Sequence, residues 1–110
     1  IRTARHGYFA SLSYIDDKIG QIIKALKDTN QYDNTVIMFT SDHGDMLGER
    51  GLWYKMSMFD SSARIPLIFH APNYVALNNT KPNYIVPRYV SQVVSLVDLL
   101  PTLVELAGST

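Results

Sequence analysis

The fold is decided by residues 35–45, which read TVIMFTSDHGD. The stretch from Thr35 to Thr40 is β-branched or apolar and lacks polar alternation, which is typical of a strand buried on both faces, as in a parallel sheet covered by helices. A buried helix is the alternative, but the run is too short to favour it. Ligands gather beyond the carboxyl ends of strands in open α/β sheets. We therefore expect the chemistry of this protein directly after Phe39.

The segments on either side of this strand predict an α/β order. Apolar residues recur every three or four positions from Tyr8 to Leu26, which predicts an amphipathic helix that ends in the turn-rich stretch 28–34. Residues 41–64 are polar and contain glycines, which predicts a long loop with one helical turn. The sequence IPLIF at 65–69 predicts a second strand, with its proline near the start or at an edge.

A second helix is predicted near the end of the chain. Asp98 is suited to the N-cap, Pro101 to the first turn, and Gly108 to the position just after the last turn. The order helix, strand, long loop, strand, helix indicates an α/β fold.

Composition excludes several classes of protein. The chain has 110 residues, enough for one domain, and ten Lys plus Arg balance ten Asp plus Glu. Zero net charge removes the electrostatic basis for binding nucleic acid or an anionic membrane surface. The absence of cysteine excludes a disulfide scaffold, a thiolate metal site and a cysteine nucleophile in these residues. No apolar run approaches the roughly 18 residues of a membrane-spanning helix.

The residues after the first predicted strand carry candidate chemistry. Asp42 and His43 leave the strand together and meet Gly44, which permits a sharp turn that aims an oxygen and a nitrogen ligand at one cation. The same pair also fits an Asp that caps the next turn and a His that bonds a backbone carbonyl. Lys55 gains a functional meaning only if an anion binds nearby. The spacing of Asp45 and Glu49, four residues apart, is compatible with one shared helical turn, but we expect a solvated acidic face instead.

Residues 40–72 read TSDHGDMLGERGLWYKMSMFDSSARIPLIFHAP and resemble the sulfatase family of the alkaline-phosphatase superfamily, most closely the choline sulfatases. SDHG alone is a weak motif, but SDHG followed by GERG, by a lysine thirteen residues after the aspartate and by RIPLI is strong. The helices from Tyr8 and from Ser95 resemble those that flank this region in the family. The resemblance implies a mostly parallel sheet flanked by helices, with residues 1–110 forming a fragment of a sulfatase catalytic domain.

The resemblance also assigns roles to three residues. Asp42 matches a ligand of the divalent cation, usually calcium, and His43 lies at the next ligand position. Because nitrogen is a less natural partner for calcium than oxygen, manganese, magnesium and zinc stay open. Lys55 matches the lysine that contacts the sulfate ester, where a compact positive charge stabilises oxygens that become more negative as the sulfur–oxygen bond breaks. The implied reaction is hydrolysis of a small-molecule sulfate ester to an alcohol and sulfate.

Other parts of the family pattern do not occur in these residues. The family nucleophile is a formylglycine made from Cys or Ser in a C/S-x-P-x-R motif, and neither that motif nor the paired metal-binding aspartates is found. Asp16 and Asp17 are expected to be solvated helix surface, His6 falls at no catalytic position, and His70 is expected to be structural. We expect the chain to be an internal portion of a longer sulfatase, inactive alone and prone to self-association through open sheet edges.

Two alternatives stay open at this stage. The first is a phosphonate monoester or phosphodiester hydrolase of the same superfamily, and the second is a noncatalytic α/β interaction module. Trp53, Tyr54 and Phe59 fit either an aromatic surface for a quaternary ammonium or ordinary packing. The resemblance to choline sulfatases implies a bacterial cytoplasmic enzyme, although other sulfatases are secreted or lysosomal. We also consider a homo-oligomer.

Overall fold

The computed structural model describes residues 1–71 and 89–107, which fold as a mixture of helices and short strands. Three short 3₁₀ turns lie at Tyr32–Asn34, Glu49–Gly51 and Leu96–Asp98. The helices and strands, in chain order, are α1 (Arg2–Asp28), β1 (Ile37–Thr40), β2 (Met46–Leu47), β3 (Trp53–Tyr54), α2 (Asp60–Ala63), β4 (Leu67–His70) and α3 (Leu99–Leu106).

Helix α1 confirms the prediction from apolar periodicity and begins before Tyr8, at Arg2. The side chains of Tyr8, Ile19, Ile23 and Leu26 are half-buried, as the spacing of three and four predicts. Asp16 and Asp17 are exposed, also as predicted, and Asp16 lies at the edge of the apolar face beside Ile19. The helix ends at Asp28, and the backbone N–H of the following residue, Thr29, donates to the carbonyl of Ala25.

The described strands pair antiparallel, so the predicted mostly parallel sheet is not confirmed. Ile37 lies opposite His70 and Thr40 opposite Leu67, and β2 likewise pairs antiparallel with β3. A parallel neighbour needs a crossover that returns the chain to the other end of the sheet, usually through an α-helix of its own. The segment between Thr40 and Leu67 carries only a hairpin and the four-residue helix α2. The chain therefore leaves the sheet after Thr40 and re-enters it at Leu67, at the same end of the sheet.

Burial of the first strand is lower than predicted. Residues of β1 are half-buried or exposed, with Phe39 37% exposed, and Ile68 on β4 is 62% exposed. Within residues 1–71 and 89–107, the buried apolar side chains are Met46 and Ala71. The expectation of burial on both faces is wrong for these residues. Among the described strands β1 pairs only with β4, and an open groove lined by residues that include Leu12 and Phe39 lies between β1 and α1.

Helix α3 forms where it was predicted, but its start differs in detail. Asp98 directly precedes the helix, but its side chain makes no capping bond to α3. Its carboxylate caps the preceding 3₁₀ turn instead, where Oδ2 accepts a hydrogen bond of 2.8 Å from the backbone N–H of Ser95. The two residues form a capping box around the 3₁₀ turn. Gly108, the predicted C-terminal glycine, lies outside the described residues. Across the described residues, helices that are both long and apolar enough to cross a bilayer do not occur.

Candidate functional site

The hairpin of β2 and β3 turns the chain back towards the end of β1. Gly48 begins its turn with φ of 94°, in the left-handed region that glycine adopts without strain, and its N–H donates to the carbonyl of Leu52 over 2.9 Å. Arg50 lies over the ring of Phe59, with 4.3 Å from the guanidinium carbon to the ring centroid. The sequence did not predict this hairpin, because strands of two residues are too short to show an alternation of polar and apolar side chains.

The structure brings the three predicted site residues together. Lys55 Nζ lies 2.8 Å from Nε2 of His43, although the residues are twelve positions apart. The same Nε2 atom lies 3.2 Å from Oδ2 of Asp42. A carboxylate, an imidazole and an ammonium group therefore share one exposed corner beyond the end of β1.

Hydrogen bonding defines the tautomer of His43. Its Nδ1 atom lies 2.8 Å from the carbonyl oxygen of Gly44, which can only accept, so we assign the ring proton to Nδ1. Nε2 then carries a lone pair, which accepts a hydrogen bond from the ammonium of Lys55. The predicted alternative of a His bonded to a backbone carbonyl is thus confirmed for Nδ1, and it leaves Nε2 available to a cation.

Asp42 is held in its ionised form. Its carboxylate is 80% exposed, and Oδ1 accepts a hydrogen bond of 3.0 Å from the backbone N–H of His43. Partial desolvation acts to raise the pKa of Asp42, but the charge that His43 carries when its ring is protonated, the backbone N–H groups and Lys55 together outweigh it and hold the pKa below its ordinary value. A carboxylate that stays deprotonated is what a metal ligand requires.

The donor set fits part of a divalent metal site. Asp42 supplies a carboxylate oxygen and His43 an imidazole nitrogen, and the Lys55 ammonium lies 2.8 Å from that nitrogen. Divalent cations in proteins take four to eight ligands. No cluster of three or more His, Cys, Asp or Glu side chains that could hold a metal ion occurs within 1–71 and 89–107. The described residues therefore fit two positions of a coordination sphere.

Ser62 is a site residue that sequence reasoning missed. It is 2% exposed, its carbonyl accepts a 2.8 Å bond from the N–H of Gly44, and its Oγ donates to the carbonyl of Lys55 over 2.5 Å. The sequence offers no signal for it, because a serine in a polar loop is expected to be solvated.

An ion pair ties the hairpin to the first helix. Arg5 Nε donates to the carbonyl of Leu47 over 2.8 Å, and its Nη2 lies 3.2 Å from Oε1 of Glu49. The other carboxylate oxygen of Glu49 accepts a 2.6 Å bond from the N–H of Leu47. The expected solvated acidic face of Asp45 and Glu49 is wrong for Glu49, which is half-buried and paired with Arg5. The two residues do not share a helical turn, because β2 separates them.

The Glu49 contacts predict an acid dependence of stability. The backbone N–H groups of Glu49 and Leu47 lower the pKa of Glu49 from its ordinary 4.5, against a smaller rise from desolvation, and Arg5 lowers it further. A carboxyl group whose pKa is lower in the folded state stabilises the fold at pH values above its ordinary, unfolded-state pKa. This stabilisation is lost as the pH falls through the folded-state pKa. We expect the urea midpoint to fall below pH 4.5 less steeply in Glu49→Gln than in the wild type. Glu105→Gln, which removes an exposed carboxyl from α3, is the matched control; an unchanged slope in Glu49→Gln would contradict the prediction.

The remaining sequence candidates fall outside the site. His6 is exposed on α1, and His70 stacks on Tyr32 with ring centroids 4.8 Å apart, which supports its structural role. Among the aromatic residues after the turn, Phe59 is covered by Arg50 and Trp53 lies against the backbone of Gly48. These contacts favour packing over a quaternary-ammonium surface for Phe59 and Trp53.

The fold and the site together define a mixed α/β protein with a carboxylate, an imidazole and an ammonium group close together at the end of a strand. The sulfatase family model matches residues 2–109, and the chain belongs to the sulfatase family. It is 45% identical over 108 residues to a choline-sulfatase of Rhizobium meliloti (strain 1021), which covers 98% of this chain and 19% of that protein.

Two other relatives are named as different kinds of sulfatase. An iduronate 2-sulfatase of Mus musculus is 39% identical over 97% of this chain and 22% of its own length, and an arylsulfatase K of Danio rerio is 41% identical over 98% and 19%. The chain thus spans about a fifth of the length of the curated relatives it matches.

Proposed function

We propose that this chain forms part of the catalytic domain of a sulfuric ester hydrolase, which cleaves a sulfate ester to an alcohol and sulfate with the help of a divalent metal. The observation that carries the proposal is the convergence at His43, whose Nε2 atom lies 3.2 Å from Oδ2 of Asp42 and 2.8 Å from Nζ of Lys55. Membership of the sulfatase family supports it, as do relatives named for three different kinds of sulfatase.

Each residue has a separate role in this proposal. Asp42 Oδ2 and His43 Nε2 would hold the metal, which would supply positive charge to the sulfate oxygens. We favour calcium, and the nitrogen ligand keeps manganese, magnesium and zinc as candidates. The Lys55 ammonium would contact the oxygens of the sulfate ester and stabilise the negative charge that develops on them.

The rest of the reaction is assigned to other parts of a longer protein. The nucleophile, a formylglycine by the resemblance, and the remaining metal ligands belong to segments other than these residues. We accordingly expect the isolated 110-residue chain to be inactive. A cytoplasmic location and a choline-like alcohol are part of the proposal and are supported by the likeness to the bacterial choline-sulfatase.

A comparison of three substrates tests the reaction class. The full-length protein that carries this sequence is assayed with choline sulfate, an aryl sulfate and a phosphonate monoester, each with calcium and with manganese. We expect kcat/KM to be highest for a sulfate ester. A higher value for the phosphonate monoester would replace the proposal with the phosphonate hydrolase alternative, and absence of turnover with all three would favour the noncatalytic module.

The role of Asp42 as a metal ligand is tested by Asp42→Asn. The substitution keeps the size of the side chain but removes the negative charge, so we expect the affinity for calcium or manganese to fall by more than about tenfold. Isothermal titration of the metal into the full-length protein gives the affinity directly. Asp16→Asn removes the same charge from an exposed position on α1 and should leave the affinity unchanged. Equal affinities of the two variants would exclude Asp42 as a ligand.

A further inference from the structure

Ser62 is the buried polar residue of the described part of the chain. It lies in α2, at 2% exposure, while the neighbouring Ser61 is exposed. Burial of a hydroxyl is unfavourable unless the group is hydrogen-bonded. The contacts of Ser62 therefore indicate what its burial achieves.

Those contacts join the two halves of the site. The Ser62 carbonyl accepts from the N–H of Gly44, the residue that follows His43, over 2.8 Å. Its hydroxyl donates to the carbonyl of Lys55 over 2.5 Å. Ser62 thus bonds through its backbone to Gly44, next to the proposed metal ligand His43, and through its side chain to the backbone of Lys55, the proposed sulfate-binding residue.

The Ser62 hydroxyl ties the carbonyl of Lys55 to α2. That carbonyl also accepts from the N–H of Ser57, but this bond lies within the same turn. On the N-terminal side, Tyr54 pairs with Met46 in the hairpin, whereas Met56 and Met58 on the C-terminal side are 95% and 96% exposed. Among the described contacts of the Lys55 carbonyl, the Ser62 hydroxyl is the one that connects it to another element.

We propose that Ser62 is a positioning residue for Lys55: the Ser62 hydroxyl anchors the lysine backbone and so places the ammonium at the end of β1, in the site that it shares with Asp42 and His43. This inference rests on the proposed role of Lys55 in sulfate ester hydrolysis. A lysine side chain has several rotatable bonds, so its charge is only as well placed as the backbone that carries it. Displacement of a catalytic group by about 1 Å can lower the rate by about 100-fold.

The test compares Ser62→Ala with Ser61→Ala in the full-length protein, with a sulfate ester as the substrate. Ser61→Ala removes a hydroxyl one position away that makes no described hydrogen bond. For Ser62→Ala we expect kcat to fall by about 10- to 100-fold with little change in KM, because the misplaced charge acts mainly in the transition state. Metal affinity should not change, because the bond to Gly44 uses the Ser62 backbone.

A double-mutant cycle separates positioning from a general structural role. If Ser62 acts through Lys55, adding Ser62→Ala to Lys55→Ala should lower kcat by less than about twofold further. If Ser62 only stabilises the loop, the two losses should multiply, and that result would overturn the inference. Ser62→Cys, which keeps a buried donor of similar size, should recover part of the lost kcat and serves as the second variant should Ser62→Ala fold poorly.

The failure of this inference is distinguishable from failure of the proposed function. If the wild type does not hydrolyse sulfate esters, the proposed function is wrong and the role of Ser62 falls with it. If the wild type is active and Lys55→Ala is not, but Ser62→Ala matches Ser61→Ala, only the positioning role is wrong.

Discussion

Lys55→Ala is expected to lower kcat/KM for a sulfate ester by about 10²- to 10³-fold, the loss typical of removing one preorganised donor from developing negative charge. The reason lies in the geometry of the corner beyond β1, where the ammonium lies 2.8 Å from His43 Nε2. An interaction that strengthens as the sulfur–oxygen bond breaks contributes mostly to kcat. Steady-state kinetics of the full-length protein measure it.

The control and a second readout sharpen this prediction. Lys24→Ala removes an exposed lysine that pairs with Asp28 on α1, and it should leave the kinetics unchanged. Lys55 is not a metal ligand in the proposal, so its removal should not lower the metal affinity. A fall in metal affinity in Lys55→Ala, or kinetics equal to those of Lys24→Ala, would show that Lys55 does not have the proposed role.

Gly44→Ala is expected to destabilise the fold by about 3 kcal/mol, at the upper end of the usual effect of overpacking. A Cβ atom at this position would lie 2.2 Å from the carbonyl oxygen of Ser61 and 3.2 Å from that of Arg64. Both are backbone atoms, so neither can move as a side-chain tip would. Relief of the clash requires separating the His43–Gly44 segment from α2, which also breaks the bond between Gly44 and Ser62.

Denaturant unfolding of Gly44→Ala and Gly20→Ala measures this effect. Gly20 lies within α1, and among the described residues no neighbouring side chain or segment would come within 4 Å of a Cβ atom added there. Alanine at that position should therefore stabilise the helix by about 0.5–1 kcal/mol. The two glycine-to-alanine substitutions are thus expected to act in opposite directions. Similar stabilities for the two variants would mean that the close approach between Gly44 and Ser61 does not exist in solution.

Local patterns predicted the helices well and the site residues in part. The apolar spacing from Tyr8 to Leu26 identified α1, because contacts between residues three or four positions apart are set within the helix itself. The SDHG motif and Lys55 were identified by resemblance, and the structure places them together. Their roles in binding metal and sulfate stay predictions.

The strands show where prediction from local sequence stops. The apolar run before Ser41 does form a strand, but its partner runs antiparallel and much of its surface is exposed. A continuous apolar run is compatible with several kinds of neighbour, because periodicity reports what a strand can bury and not which strand lies beside it.

By itself, the sequence determined the positions of α1, β1 and α3, the resemblance to sulfatases, and the residue types of the candidate site. Only the tertiary structure decided the direction of strand pairing, the burial of Ser62 between Gly44 and Lys55, and the bonds from Arg5 to the distant hairpin. The physical reason is the range of the interactions. Helix periodicity and capping act over a few residues, whereas these contacts exist only once distant segments have folded against each other.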